Sequence, residues 1–173
     1  MFSRRKKENR GAAVQTAPRK INSSLAMLAD VSSTAVEREL YRNLRKSVPV
    51  IDAAICKLIR LLGTFKVKTK NSRCQLIIDD FMRNVRTNGT GMGINGFVFS
   101  YMESLLTYGE AVGEMVLSRD GKRIAALYNA SVEDVEIREG SSPLDLVICT
   151  KGDGVLTPVK YSGLVFATLL NPE

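Results

Sequence analysis

Ile94-Asn-Gly-Phe-Val-Phe-Ser-Tyr-Met-Glu-Ser-Leu-Leu-Thr-Tyr-Gly109-Glu-Ala-Val-Gly-Glu-Met-Val-Leu-Ser118 holds two periodicities back to back. From about Asn95, the residues Ile94, Phe97, Val98, Met102, Leu105 and Leu106 keep a helical stripe, with Tyr101 beside it. Gly109 ends that helix, as glycine does where the chain turns left-handed. Glu110–Ser118 then reads as a strand. The pattern changes at this glycine from helical to strand.

Working upstream, the pattern stays helical. Cys74, Ile77, Ile78, Phe81, Met82 and Val85 give a helix over roughly 73–86, followed by a glycine-rich loop, 87–93. Phe65-Lys-Val67-Lys-Thr69-Lys alternates with period two and predicts a strand with one basic face. Val48, Ile51, Ile55, Leu58, Ile59 and Leu62 form the stripe of an earlier helix, opened by Pro49 and stopped by Gly63. Structure begins at Thr34, where Thr34-x-x-Glu37 is a capping box and Val36, Leu40 and Leu44 predict a helix to about Lys46. Residues 1–33 lack periodicity and read as a flexible arm.

Downstream the chain reads as strands. Arg119-Asp120-Gly121-Lys122 carries an Asp-Gly turn signal. Ile124–Leu127, Val132–Ile137, a hairpin of Leu144–Thr150 with Val155–Tyr161, and Leu164–Leu170 follow. Helices first and antiparallel strands afterwards make the fold class α+β rather than alternating α/β. The domain reading is an arm over 1–33 and an α+β unit over 34–173. The apolar strand close to Glu173 suggests the N-terminal part of a longer polypeptide.

Composition narrows the chemistry. The 173 residues contain no histidine, which removes His-based acid–base catalysis and His-ligated metal sites. Cys56, Cys74 and Cys149 are scattered, without a C-x-x-C pair, and read as free thiols in a reducing compartment. The net charge of +7 is unevenly placed. Residues 1–20 hold seven bases against Glu8. Residues 36–74 hold ten bases and three acids, whereas 75–173 hold eight and thirteen. The arm's Arg4, Arg5, Lys6 and Lys7 are the candidate polyanion contact, since basic arms bind nucleic acid, with a solubilising terminus as the equal alternative. No apolar h-region follows these charges, so they are not read as a signal peptide, and no apolar run approaches a membrane span.

Other motifs have plain readings. Gly91-Met-Gly93-Ile-Asn-Gly96 matches G-x-G-x-x-G, but it follows a helix and a loop instead of a strand of a βαβ unit, which argues against a dinucleotide site. Asp79 and Asp80 lie opposite their helix's apolar stripe, on a solvated face. Glu110 and Glu114 alternate with apolar residues on a strand, and an exposed face is the expectation, with inter-subunit ion pairs as the alternative. Lys57, Arg60, Lys66, Lys68, Lys70 and Arg73 could track phosphates, but only Phe65 is near to stack a base, so a solvated face is preferred. No catalytic, cofactor-binding or metal constellation emerges, and the chain is not read as an enzyme.

Three runs together resemble tailed-bacteriophage portal proteins. Val48-Pro-Val-Ile-Asp-Ala-Ala-Ile-Cys-Lys-Leu-Ile-Arg-Leu-Leu-Gly-Thr-Phe-Lys-Val looks like the family's opening helix and short strand. Tyr101-Met-Glu-Ser-Leu-Leu-Thr-Tyr-Gly-Glu-Ala-Val-Gly-Glu-Met-Val-Leu is similar to its helix ending in G-E/N-A. Ser118-Arg-Asp-Gly-Lys-Arg-Ile-Ala-Ala-Leu-Tyr-Asn-Ala-Ser-Val-Glu-Asp-Val-Glu-Ile resembles its next hairpin. The resemblance covers roughly 40–170, and the order and spacing of the pieces carry it more than any one of them.

The resemblance implies a structural subunit of a ring, commonly of twelve copies, at one capsid vertex of a virion assembled in the bacterial cytoplasm. Such a ring passes double-stranded DNA during packaging and ejection and attaches the tail. Its partners are other copies, the major capsid or scaffolding protein, terminase and head–tail adaptor proteins; it has no cofactor and no membrane. These residues would form the outer wing region, with stem and clip beyond the chain end. The alternative from the residues alone is a nucleic-acid-binding or capsid-associated adaptor that uses the basic arm.

Overall fold

A computed structural model of the chain describes residues 14–17, 33–141, 146–152 and 155–170. It contains helices α1 (Ser33–Ser47), α2 (Pro49–Leu61), α3 (Ser72–Asn84) and α4 (Ile94–Tyr108). The strands are β1 (Arg86–Thr87), β2 (Gly91–Met92), β3 (Glu110–Leu117), β4 (Ile124–Ala130), β5 (Val135–Glu139), β6 (Leu146–Gly152), β7 (Val155–Pro158) and β8 (Val165–Leu169). A 3₁₀ turn, Ser162–Leu164, leads into β8. The α+β class is as the sequence indicates.

The local signals act where expected. Pro49 opens α2, and Asn71 caps α3 by accepting from the Arg73 and Cys74 amides at 2.9 and 3.2 Å. The side chain of Thr34, the proposed capping hydroxyl of α1, lies outside the described residues. Gly109 ends α4 in the left-handed region at φ 77°, with its amide 2.9 Å from the Leu105 carbonyl. Gly121, at φ 68°, makes the turn between β3 and β4.

Two sheets form. The first has order β2-β1-β4-β3-β8 and the second β5-β6-β7. All pairings are antiparallel except β1 with β4. The period-two alternation of the central strands separates two packed layers. Phe97 and Val98 of α4 meet Val85, Leu127 and Met115 on one face of the larger sheet. Val112, Ala130 and Val165 on the opposite face meet Val135, Ile137 and Ile148 of the smaller sheet. Gly113 makes the α4 layer close-fitting. A Cβ there would stand 2.5 Å from the ring of Phe166, its cross-strand partner, and 2.9 Å from Phe97.

Three expectations change. The alternating stretch Phe65–Lys70 forms no strand: residues 64–69 join α2 to α3 without pairing. The glycine-rich loop 87–93 contains the small hairpin β1–β2, whose first strand runs parallel to β4 and inserts a strand pair among the helices. Val132–Ile137 is a turn followed by β5, in the other sheet from β4.

Candidate assembly surface

Helix α1 sits on the fold inverted. Its arginines, Arg38, Arg42 and Arg45, recur at i, i+4 and i+7 and point inward. Arg38 is only 7% exposed, with Nε 2.7 Å from Glu110 Oε1. Arg42 pairs with Glu133 in the turn before β5. Arg45 reaches Asp52 of α2 at 2.6 Å, and Glu103 and Thr107 of α4 at 2.7 and 3.1 Å. Burial lowers the Arg45 pKa, but its bonds to the Asp52 and Glu103 carboxylates outweigh that and raise it overall. One guanidinium therefore ties three helices together.

With its three arginines engaged, α1 turns Val36, Leu40, Leu44 and Tyr41 to solvent, together with Glu37, Glu39, Asn43 and Lys46. Helix α2 adds to this: Ile55 is buried, while Val50 and Leu61 are 71% and 72% exposed and Leu58 and Leu62 are half open. Phe65 and Val67 of the connecting segment, and Leu76 and Ile77 of α3, are exposed as well. Apolar side chains scattered singly are ordinary, whereas here successive elements each leave apolar side chains exposed, which makes this stretch the candidate interaction surface. Val36, Leu40, Leu44 and Tyr41 are already about half covered, so burying the remainder is worth on the order of 3–6 kcal/mol before the costs of association. The exposed cations Lys57, Arg60, Lys66, Lys68, Lys70 and Arg73 lie along this same stretch, without ion-pair partners among the described residues.

The two strand carboxylates correct the sequence reading. Glu110 is mostly buried against Arg38, and Glu114 is 1% exposed. Glu114 Oε2 accepts from the Thr16 hydroxyl at 2.8 Å and the Thr16 amide at 3.0 Å. The Gln15 amide donates to Oε1 and Oε2 at 2.9 and 3.1 Å. The Gln15 side-chain oxygen accepts from the Tyr161 amide at 2.9 Å. Residues 15–16, from the segment read as the arm, are thus fastened to the β3 face. These acids are internal fasteners, not an exposed face.

Asp79 and Asp80 are exposed, as expected, and bond Gln75 and Asn84 on their own helix. The glycine motif has backbone reasons. A Cβ on Gly91 would overlap the Thr87 hydroxyl, and Gly93 takes φ 82° at the start of α4. Asp134 has a raised pKa because burial disfavours its charge, with Lys151 opposing the rise. Arg4, Arg5, Lys6 and Lys7 lie outside the described residues. No group of three or more His, Cys, Asp or Glu side chains among the described residues could hold a metal ion. No helix among them is long and apolar enough to cross a membrane.

The inverted α1 and the buried Glu114 are what the sequence reading missed. A signal for the first existed, because the Arg38–Arg42–Arg45 spacing is as regular as the apolar stripe. A signal for the second did not, since its donors lie 98 and 99 residues away. No protein-family model, no curated protein and no solved structure matches the chain.

Proposed function

We propose that the chain is a structural subunit that assembles with copies of itself into a closed ring, in the manner of a tailed-phage portal protein. The observation that carries this is the set of exposed apolar side chains on α1 and α2, with the arginines of α1 turned into the fold instead. Residues 36–74 carry +7 and 75–173 carry −5, and part of that difference is neutralised within the fold. Three of those bases, Arg38, Arg42 and Arg45, are spent on Glu110, Glu133 and Glu103 inside the fold, and the exposed excess left on 36–74 is Lys57, Arg60, Lys66, Lys68, Lys70 and Arg73. On this reading the ring sits at a capsid vertex, passes DNA, and meets terminase, capsid or scaffolding protein and head–tail adaptors, and the chain performs no catalysis.

The test is the mass and shape of the purified protein. Light scattering should give a multiple of 19.0 kDa, and negative-stain images should show rings. A single-copy mass at high concentration contradicts the proposal.

A further inference from the structure

The side chains that fasten α1 to the fold are charged. Among residues 35–47, only Ala35, Arg38, Arg42 and Arg45 are not exposed. Val36, Leu40, Tyr41 and Leu44 are the kind of side chain a docked helix ordinarily buries, and none of them is buried. Three ion pairs reach from α1 to distant parts of the chain. Arg38 pairs with Glu110 of β3, Arg42 with Glu133 in the turn before β5, and Arg45 with Glu103 of α4. Two further features make this docking reversible. Arg38 Nη1 is buried without a hydrogen-bond partner, a donor that water would satisfy if the helix lifted away. Val48, extended at φ −119° and ψ 93°, is the single residue between α1 and α2, so the helix can swing there while Pro49 keeps the first turn of α2. Fifteen residues lie at the margin of what stays helical alone, so a lifted α1 also frays.

We propose that α1 is a latch closed by charge, which opens as ionic strength rises. Salt screens exposed ion pairs but does not screen apolar packing, and apolar packing is what α1 lacks. The side chains of Glu133 and Glu103 are 50% and 49% exposed, so salt reaches two of the three pairs. The Arg38–Glu110 pair lies deeper and is the last to yield. Closed, the latch holds the exposed apolar side chains of α1 against the rest of the fold, next to α2. Open, it carries them away and frees the carboxylates of Glu103, Glu110 and Glu133. The surface that α1 and α2 form jointly therefore exists only while the three pairs hold. This device stands whether or not copies of the chain assemble on that surface.

Amide hydrogen exchange tests it, on the full chain diluted until light scattering gives a single-copy mass. From about 0.01 M to about 1 M sodium chloride, the Debye length falls from about 30 Å to about 3 Å. Over that range the amides of residues 37–47 are expected to lose about tenfold or more of their protection, while those of α4 change little. Arg42→Glu sets two acids face to face and should open α1 already at low salt. Adding Glu133→Arg restores an opposite-charge pair and should close it again. Both side chains are at least a third exposed, and unchanged protection of α4 shows that the rest of each variant is folded. Protection of α1 that ignores salt, or that falls only in step with α4, overturns the latch. So does an Arg42→Glu variant that exchanges like the parent, or one that Glu133→Arg fails to rescue.

Discussion

Replacing Glu114 by alanine removes the acceptor for three donors: the Gln15 amide, the Thr16 amide and the Thr16 hydroxyl. A hydrogen bond to a charged group contributes about 1.5–3 kcal/mol net, so three set an upper bound of about 4.5–9 kcal/mol. The loss cannot reach that bound. Residues 15–16 belong to neither sheet and can undock, whereupon water satisfies their donors, and the substitution also removes a buried charge. The cost is then that of undocking the segment, about 2–4 kcal/mol. Thr16→Val keeps the shape and both amides and removes one donor, so it should cost less, about 1–2 kcal/mol. Urea unfolding gives the totals, and amide hydrogen exchange at Gln15 and Thr16 reports the docking itself. Glu114→Ala with unchanged stability and unchanged protection of those two amides would refute the reasoning.

Other outcomes follow from single contacts. Gly113→Ala places a Cβ against the Phe166 and Phe97 rings and should destabilise by about 1–3 kcal/mol, read as a lower Tm. Tyr101→Phe loses the hydroxyl bonds to Thr168 and to the Ala111 carbonyl, at 2.8 and 3.2 Å, and should cost about 1 kcal/mol in urea unfolding. The raised pKa of Asp134 means the native chain holds its proton more tightly than the unfolded chain, so this residue's contribution to stability falls as pH rises through its titration. Asp134→Asn should therefore stabilise at neutral pH and lose that advantage in acid, below the ordinary aspartate range, as unfolding curves across pH will show.

The legible parts of the fold were those fixed by local chemistry. Pro49, Gly109 and the stripe from Ile94 to Leu106 act over a few residues and set α2, α4 and the start of β3. The Asp120-Gly121 turn likewise needs only neighbours. The illegible parts depend on distant partners. Phe65–Lys70 has the alternation of a strand, but alternation cannot say whether a ladder partner exists within the chain, and Gln75 takes that place. Glu110 and Glu114 look like the polar face of a half-exposed strand until Arg38 and Thr16 arrive from far along the sequence. Helix α1 carries two stripes, one apolar and one of arginines, and periodicity alone does not say which faces in. Its acceptors, Glu110, Glu103 and Glu133, decide that, and they belong to three other parts of the fold.

The central claim is that the outward face of α1 and α2 is covered by another copy. It is tested most directly by light scattering on the parent protein and on the Leu40→Glu/Leu44→Glu variant, over a range of concentrations. These side chains are exposed in the single chain, so the variant should stay folded. The expected result is a multi-copy mass for the parent and a single-copy mass for the variant. A parent of single-copy mass, or a variant that assembles like it, contradicts the claim.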